Sequence, residues 1–330
     1  MNKEIGSIYA YLIDQRTNTA HAVSWQEIRV WRPENEYLWL VSRADGMETR
    51  RWLQNESGLD PQVLNVLFSD DNRPHVDFSP EGTLISLRAV NQDANRESDE
   101  DLVCVNMWVD QRRFIVLRSH ATLACSEVRN ELKEGNVPND TGEIFAMLMD
   151  RLMSRMDGLL NEMDHQIDEL EDRILVRVTD EVQMELATLR HRVITARRYL
   201  VAQHNTLSSL YGNRAFWLSD TCRRTIRESN SHVNRAVEDI NACRERALFL
   251  QDQITNLNSN ELNKTMKILT AFTAVLLPLN AFTSLMGTNV EGIPGQAGTT
   301  SPNAFTYEVL ICIGIVGACY HIFKRLKWFE

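Results

Sequence analysis

The feature that most constrains this chain is an uncharged run near its C-terminal end, from Ile268 to Met286. It holds roughly 19 residues, about the length that an α-helix needs to cross the hydrocarbon core of a bilayer. A second run, from Ala304 to Phe323, is interrupted only by Glu308. The sequence therefore predicts two C-terminal transmembrane helices joined by an outer loop, residues 287–303.

The flanking charges predict how this hairpin is oriented. Basic residues lie before the first span and after the second: Lys264, Lys267, Lys324, Arg325 and Lys327. The loop between the spans contains no Lys or Arg. Because basic segments stay on the cytoplasmic side of a membrane, both termini are expected in the cytoplasm. The N-terminus lacks the basic-then-apolar pattern of a signal peptide, so the spans themselves are expected to direct membrane insertion.

The first predicted span carries a stripe of mostly polar or small residues on one helix face, which we call the polar stripe. Its members recur at alternating steps of three and four: Thr270, Thr273, Leu277, Asn280, Ser284 and Gly287. Polar groups are costly in lipid, so the stripe must face protein or water. It is either a helix-packing seam of small residues or the lining of a pore. One hairpin cannot enclose a water-filled path, so a pore requires several chains around an axis.

Charge and motifs exclude several classes of function. Residues 1–263 hold 30 basic and 42 acidic residues, a formal charge near −12. Nucleic-acid binding depends on cationic surface, so nucleic acid is not an expected partner, whereas cations are favoured near an acidic surface. The sequence contains no phosphate-binding glycine loop, nucleophile elbow or zinc-finger spacing. We therefore predict neither an enzyme nor a bound cofactor.

Residues 1–140 are predicted to form an N-terminal cytoplasmic domain of mixed α and β structure. The predicted strands are Ile8–Ile13, Tyr37–Val41, Thr83–Val90, Leu102–Val109 and Phe114–Leu117. The predicted helices are Met47–Asn55, Pro61–Leu67 and Thr122–Lys133. Turn signals separate these elements, and Gly135 to Gly142 marks the predicted domain boundary. The acidic run from Asn91 to Asp101 is interpreted as a solvated loop or, alternatively, a weak cation-binding segment.

Residues 141–263 are predicted to form long helices. Apolar residues at steps of three and four predict amphipathic helices over Ile144–Val178 and Glu181–Leu210. A third helix is predicted to begin near Ser219 and to continue into the first span, because Gly and Pro are absent from Asn213 to Leu277. It would cover about 65 residues, on the order of 100 Å. Residues 264–330 then form the transmembrane hairpin.

Several motifs near the first span resemble those of the CorA superfamily of divalent-cation transporters, and within it the ZntB-like zinc transporter branch. They are Asn263, Met266-Lys267-x-Leu269-Thr270, Pro278, Gly287-x-Asn289 and the run Gly292-Ile293-Pro294-Gly295. The middle residue of the Gly-x-Asn signature is Thr288, where CorA proper has Met and ZntB-like members usually have Val. The order of predicted domains also matches this family over the whole chain.

The resemblance implies an α+β cytoplasmic domain with long helices forming a funnel, two transmembrane helices, and a homopentamer in the inner membrane that transports zinc or another divalent cation. Gly287, Thr288 and Asn289 would form the selectivity signature. Asn289 would present five amide oxygens to the waters of a hydrated ion. The implied pore lining is Asn263, Met266, Leu269, Thr270, Thr273, Leu277, Asn280 and Ser284, in which Met266, Leu269 and Leu277 would be apolar constrictions.

Three further residues have candidate roles. Glu291 is the only acidic residue between the spans and would concentrate cations at the outer mouth, or would be an ordinary loop glutamate. His165 and Cys243 match a histidine and a cysteine of ZntB-like relatives and are candidate cytoplasmic zinc ligands. They would otherwise be a solvated helix histidine and a small core cysteine. The competing functions are a CorA-type magnesium or cobalt channel and a membrane-anchored sensor or scaffold.

Overall fold

The computed structural model describes residues 8–31, 36–70, 72–91, 101–213, 215–287 and 304–325. The chain divides into two compact units, one up to Gln251 and one from Asp252 onward. The acidic run interpreted as a loop lies mostly outside the described residues.

Seven strands of the described chain form one mixed sheet in the order β2-β1-β3-β7-β6-β5-β4. The strands are β1 (Tyr9–Asp14), β2 (Thr19–Ala22), β3 (Glu36–Arg43), β4 (His75–Phe78), β5 (Thr83–Val90), β6 (Leu102–Val109) and β7 (Arg113–Arg118). Only β3 and β7 pair in parallel among these neighbours. Every residue of β6 is buried, which agrees with its apolar residues on nearly both faces.

Helices occupy both faces of the sheet and continue beyond it. Their bounds are α1 (Trp25–Val30), α2 (Met47–Asn55), α3 (Pro61–Leu67), α4 (Leu123–Lys133), α5 (Thr141–Ser154), α6 (Met156–Val176), α7 (Asp180–Gly212), α8 (Asp220–Met286) and α9 (Ala304–Arg325). One core contains residues of α1, α2 and α3 together with one face of the sheet. The other contains α4, α5, the end of α7 and the start of α8.

The second of these cores joins the sheet to residues from the middle of the chain. The Phe145 ring of α5 packs edge-on against Phe114 of β7 and Trp217, with ring centroids 5.9 and 5.3 Å apart. Trp217 in turn donates to the hydroxyl of Thr83, 2.8 Å away, at the start of β5. The first turns of the long-helix region are therefore part of the hydrophobic core of the sheet.

The strand and helix predictions for residues 1–140 are confirmed, with three omissions. Strands β2 and β4 have four residues each and lie at the two edges of the sheet, so they lack the long apolar run that marks the inner strands. Helix α1 has only six residues, but its Ser24–Glu27 capping box is a recognisable sequence signal.

The single helix predicted over Ile144–Val178 is wrong in one respect, because the chain is interrupted at Arg155 between α5 and α6. Arg155 keeps helical backbone angles, φ −82° and ψ −20°. The apolar periodicity therefore passes through the interruption and hides it from the sequence. Arg155 also forms an ion pair with Glu127 of α4.

Helix α8 is 67 residues long and confirms the prediction of one helix from near Ser219 into the apolar run. The Ser219 hydroxyl accepts from the Cys222 amide at 3.2 Å, which satisfies a free donor of the first turn. Within the described residues, α8 alone is long and apolar enough to cross a membrane. The second apolar run is helical as α9.

Candidate functional site

The polar stripe lies on an exposed face of α8. All of its members and all of the other candidate pore-lining residues are exposed, and this set includes Asn263, Met266 and Leu269. The apolar residues of this face are exposed as well, since Met266, Leu269 and Leu277 expose 62, 62 and 64% of their surface. The face is thus continuous, with polar groups and apolar side chains alternating along it.

Helix α9 lies on another side of α8. The Cys319 sulfur of α9 is 3.8 Å from the carbonyl oxygen of Ala274, and the half-buried residues of α8 include Ala271, Val275 and Phe282. At 3.6 residues per turn, Ala271, Val275 and Phe282 project from the side of the helix opposite to the polar stripe. The hairpin partner therefore leaves the stripe uncovered.

The threonines of the stripe direct their hydroxyl protons inward and their oxygens outward. The Thr270 hydroxyl donates to the Met266 carbonyl at 2.8 Å, and that of Thr273 to the Leu269 carbonyl at 2.9 Å. Each oxygen keeps acceptor capacity. The waters bound to a cation are hydrogen-bond donors, so the chemistry of these oxygens suits a hydrated cation.

Two further polar side chains of the stripe are available to an external partner. Within the described part of the chain, neither the side-chain amide of Asn280 nor the side-chain hydroxyl of Ser284 makes a hydrogen bond. An amide without a partner is costly in hydrocarbon. This face of α8 consequently needs water, an ion or another polypeptide beside it.

Pro278 interrupts the hydrogen bonding of α8 in the middle of the apolar run. It has no backbone N–H, so the carbonyl of Ala274, four residues earlier, loses its helical donor. The thiol of Cys319 lies within hydrogen-bond distance of that oxygen, at 3.8 Å. A side chain of α9 thus compensates the carbonyl that the proline leaves without a partner.

The outer end of the candidate site is described only as far as Gly287. The backbone amide of Gly287 donates to the Thr283 carbonyl at 3.0 Å. A Cβ added at Gly287 would meet that carbonyl at 3.4 Å, an ordinary contact, so no neighbour among the described residues requires glycine there. Thr288, Asn289 and Glu291 lie outside the described residues.

The candidate cytoplasmic ligands His165 and Cys243 have different surroundings. His165 is exposed, and its Nδ1 lies 3.7 Å from Glu169. Cys243 is only 3% exposed, and its sulfur lies 3.9 Å from the Asp164 carboxylate. Burial, reinforced by the negative charge of Asp164, raises the pKa of the Cys243 thiol to about 11, which disfavours the thiolate that binds zinc.

A second observation bears on this candidate zinc site. Among the described residues, no group of three or more His, Cys, Asp or Glu side chains is arranged to hold a metal ion. A structural zinc site needs about four ligands. The role of His165 and Cys243 in metal binding stays a prediction.

An ion cluster that the sequence analysis missed lies beside Cys243. Arg246 of α8 contacts three carboxylates of α6, those of Asp164, Asp168 and Glu171. These acids are spaced at four and three residues and share one face of α6. That spacing is a visible signal, but nothing in the sequence identifies Arg246 as their partner. The cluster joins α6 to α8 and neutralises part of the acidic surface.

An α+β domain that leads into a very long helix, apolar enough over one stretch to cross a membrane, fits a membrane protein. The family model for "CorA-like Mg2+ transporter protein" matches residues 34–325. The chain therefore belongs to the CorA family, and it is a divalent cation transporter of the membrane.

Similar proteins cover the chain almost completely. It is 29% identical over 323 residues to "Zinc transport protein ZntB" of Pectobacterium carotovorum, covering 98% of this chain and 96% of that protein. It is 31% identical over 331 residues to "Divalent cation transporter CmaX" of Pseudomonas aeruginosa, covering 98 and 97%.

Solved structures agree with these sequence matches. The full-length CmaX structure aligns with a TM-score of 0.79 at 28% identity, over 99% of this chain and 100% of that one. The complete CorA magnesium transporter of Methanocaldococcus jannaschii aligns with a TM-score of 0.83 at 16% identity, over 97 and 98% of the two chains. The M. jannaschii match supports the fold alone.

Proposed function

We propose that this protein is a homopentameric, multi-pass transporter of the inner membrane that moves zinc through a central pore. The observation that carries the proposal is the polar stripe of α8. All of its members are exposed, on a helix apolar enough to span a bilayer, and α9 contacts another side of that helix. Five copies around an axis, the number that the family resemblance implies, would turn the five stripes toward one water-filled path.

The pore would alternate acceptor rings with apolar constrictions. Thr270, Thr273 and Asn280 would offer oxygens to the waters of a hydrated ion, while Met266, Leu269 and Leu277 would narrow the path and gate it by excluding water. The free energy of a divalent ion that moves inward falls by roughly 4 to 5 kcal/mol per 100 mV of inside-negative potential. Uptake through such a path needs no other source of energy.

The outer mouth would carry the signature of Gly287, Thr288 and Asn289. Five Asn289 amides would hold the hydration shell of the ion, and five Glu291 carboxylates would concentrate cations before entry. Both termini would lie in the cytoplasm, as the basic residues flanking the spans indicate. Residues 1–140 would form the cytoplasmic domain, 141–263 the funnel and 264–330 the membrane hairpin.

Zinc is the proposed ion because several of the most similar relatives are named zinc transport proteins. Magnesium or cobalt is the alternative, since the family model and one of the solved relatives are named for magnesium transport. Thr288 differs from the residue typical of either branch and gives no preference for one ion.

Metal flux into liposomes containing the purified protein tests the proposal. Zinc, magnesium and cobalt are supplied separately, with and without a pH gradient, to the wild type and to Asn289→Ala. We expect the wild type to transport zinc and Asn289→Ala to show no zinc flux. Magnesium flux without zinc flux would instead identify a CorA-type channel. No flux of any ion from correctly oriented oligomers would favour a membrane-anchored sensor.

A further inference from the structure

An apolar groove of about 310 Å³ runs between α8 and α9. Residues lining it include Ala271, Phe272 and Val275 of α8, and Val316, Tyr320 and Phe323 of α9. Phe272 and Tyr320 remain 66 and 60% exposed, so the groove is open along its length. No described side chain of either helix fills the groove.

One end of the groove is basic. Lys267 precedes Ala271 by one helical turn on α8, and Lys324 follows Tyr320 by one turn on α9; both side chains are exposed. Since residues four apart share a helix face, each lysine continues a face that lines the groove. The sequence has no Asp or Glu between Glu261 and Glu291, or between Glu308 and Glu330. No acidic residue therefore lies within one helical turn of Lys267 or Lys324 along its own helix.

The orientation of the stripe indicates what the groove meets. Ala271 and Val275 are on the side of α8 opposite to the polar stripe. If the stripe faces the axis of an oligomer, the groove faces away from it, toward lipid. The contents of the groove are then set by the bilayer and by the charge at its basic end.

We propose that the groove binds an acyl chain of an anionic phospholipid in the cytoplasmic leaflet, with Lys267 and Lys324 pairing with its phosphate. The inference rests on the proposed orientation of the hairpin. Lysine and tyrosine side chains are favoured at the headgroup level of a membrane, and Tyr320 would lie against the first carbons of the chain. The site would select lipids by net negative charge.

Native mass spectrometry of the purified full-length protein tests this inference. Phosphatidylglycerol and phosphatidylcholine with identical acyl chains are added in equal amounts, and the lipids retained per chain are counted. We expect the wild type to retain phosphatidylglycerol preferentially. Each basic residue near an anionic lipid contributes about fivefold in binding, so Lys267→Gln with Lys324→Gln should lower that preference by roughly 25-fold.

Arg325→Gln is the matched control. Arg325 is adjacent to Lys324 in sequence but points to the other side of α9, about 180° from Val316. The substitution removes one positive charge from the same helix end. It should leave the lipid preference within about twofold of the wild type, because the Arg325 side chain does not face the groove. A loss of about fivefold in this variant, the value for one basic residue near the lipid, would show diffuse surface attraction and overturn the inference. Equal retention of the two lipids by the wild type would also overturn it.

Val316→Trp fills the groove and identifies its occupant. We expect the variant to keep the mass of the wild-type oligomer and to lose retained phosphatidylglycerol. A smaller oligomer would mean that a neighbouring copy occupies the groove, which contradicts the proposal. Zinc flux measured on the same samples separates the two claims. Lipid selectivity without flux would refute only the proposed function, and flux without selectivity only the lipid site.

Discussion

Helix α8 contains two stretches with opposite arrangements of polar and apolar residues. From Asp220 to Ile254, buried apolar side chains such as Ile226, Val233 and Ile240 recur on one face. From Ile268 to Met286 no residue is buried, apolar residues cover most of the surface, and every polar side chain except Thr283 belongs to the stripe. In water the apolar face must be covered, whereas in lipid the polar face must be. One helical geometry therefore presents two amphipathic patterns, each suited to its solvent.

The largest expected effect on transport comes from making the polar stripe apolar. Asn280→Leu replaces the amide that has no hydrogen-bond partner in the described chain. We expect zinc flux to fall by about 5- to 30-fold, because losing one hydrogen bond to a hydrated ion raises the barrier by roughly 1 to 2 kcal/mol. Stopped-flow flux into liposomes measures the change.

Thr283→Ala is the control for this substitution. The Thr283 hydroxyl donates to the Leu279 carbonyl at 3.0 Å, and the residue lies outside the stripe. Its flux should equal that of the wild type. If the two substitutions reduce flux equally, the stripe has no special role and the contrast between the two stretches fails.

The core that the first stretch of α8 shares with α5 is tested by removing a buried side chain of α5. Phe145 is completely buried and packs against two aromatic rings. We expect Phe145→Ala to lower the free energy of unfolding by about 3 to 5 kcal/mol. Urea titration of the detergent-solubilised protein, followed by near-ultraviolet circular dichroism, measures it. Phe249→Ala, at a side chain that is 65% exposed, should cost about 1 kcal/mol or less; equal losses would contradict the described core.

The ion cluster of α6 and α8 tests how much surface charge contributes to the stability of the first stretch of α8. Arg246→Ala leaves three carboxylates of α6 without their shared cation. The groups are partly exposed, so solvent screening limits the expected loss in unfolding free energy to about 1 kcal/mol. The loss should shrink in roughly 1 M salt. Arg173→Ala, which removes a single exposed pair with Glu185, should cost less, and a salt-independent loss at Arg246 would exclude an electrostatic cause.

The smallest expected effect concerns the carbonyl that Pro278 leaves without a helical donor. Cys319→Ala removes the thiol near the Ala274 oxygen. We expect it to destabilise the detergent-solubilised protein by about 0.5 to 1 kcal/mol. In a Pro278→Ala background the helix supplies its own donor, so the same substitution should be nearly neutral. Equal effects in both backgrounds, from thermal unfolding, would show that the thiol acts only by packing.

Sequence reasoning reached most of the fold because the signals are local. The inner strands have long apolar runs, and the absence of Gly and Pro before Pro278 predicts α8 nearly to the residue. The edge strands β2 and β4 are too short to carry such a pattern. The interruption at Arg155 leaves no trace, because that residue stays helical.

The candidate site divides in the same way. The polar stripe was predictable because it depends only on helical periodicity within α8. The contact of Cys319 with Ala274 and the cluster around Arg246 depend on how distant segments pack, which periodicity does not contain. For His165 and Cys243 the sequence offers suitable zinc ligands, but burial and the raised thiol pKa of Cys243 become visible only in three dimensions.

Thiol accessibility during transport tests the central claim, that the polar stripe lines the ion path. Asn280→Cys on the stripe and Val275→Cys on the groove side are treated with a cationic, membrane-impermeant methanethiosulfonate while zinc flux is recorded. The wild type is treated in the same way, to show any effect of the reagent on native cysteines. We predict that the reagent blocks flux through Asn280→Cys and leaves flux through Val275→Cys and the wild type unchanged. Block at Val275→Cys with none at Asn280→Cys would contradict the account.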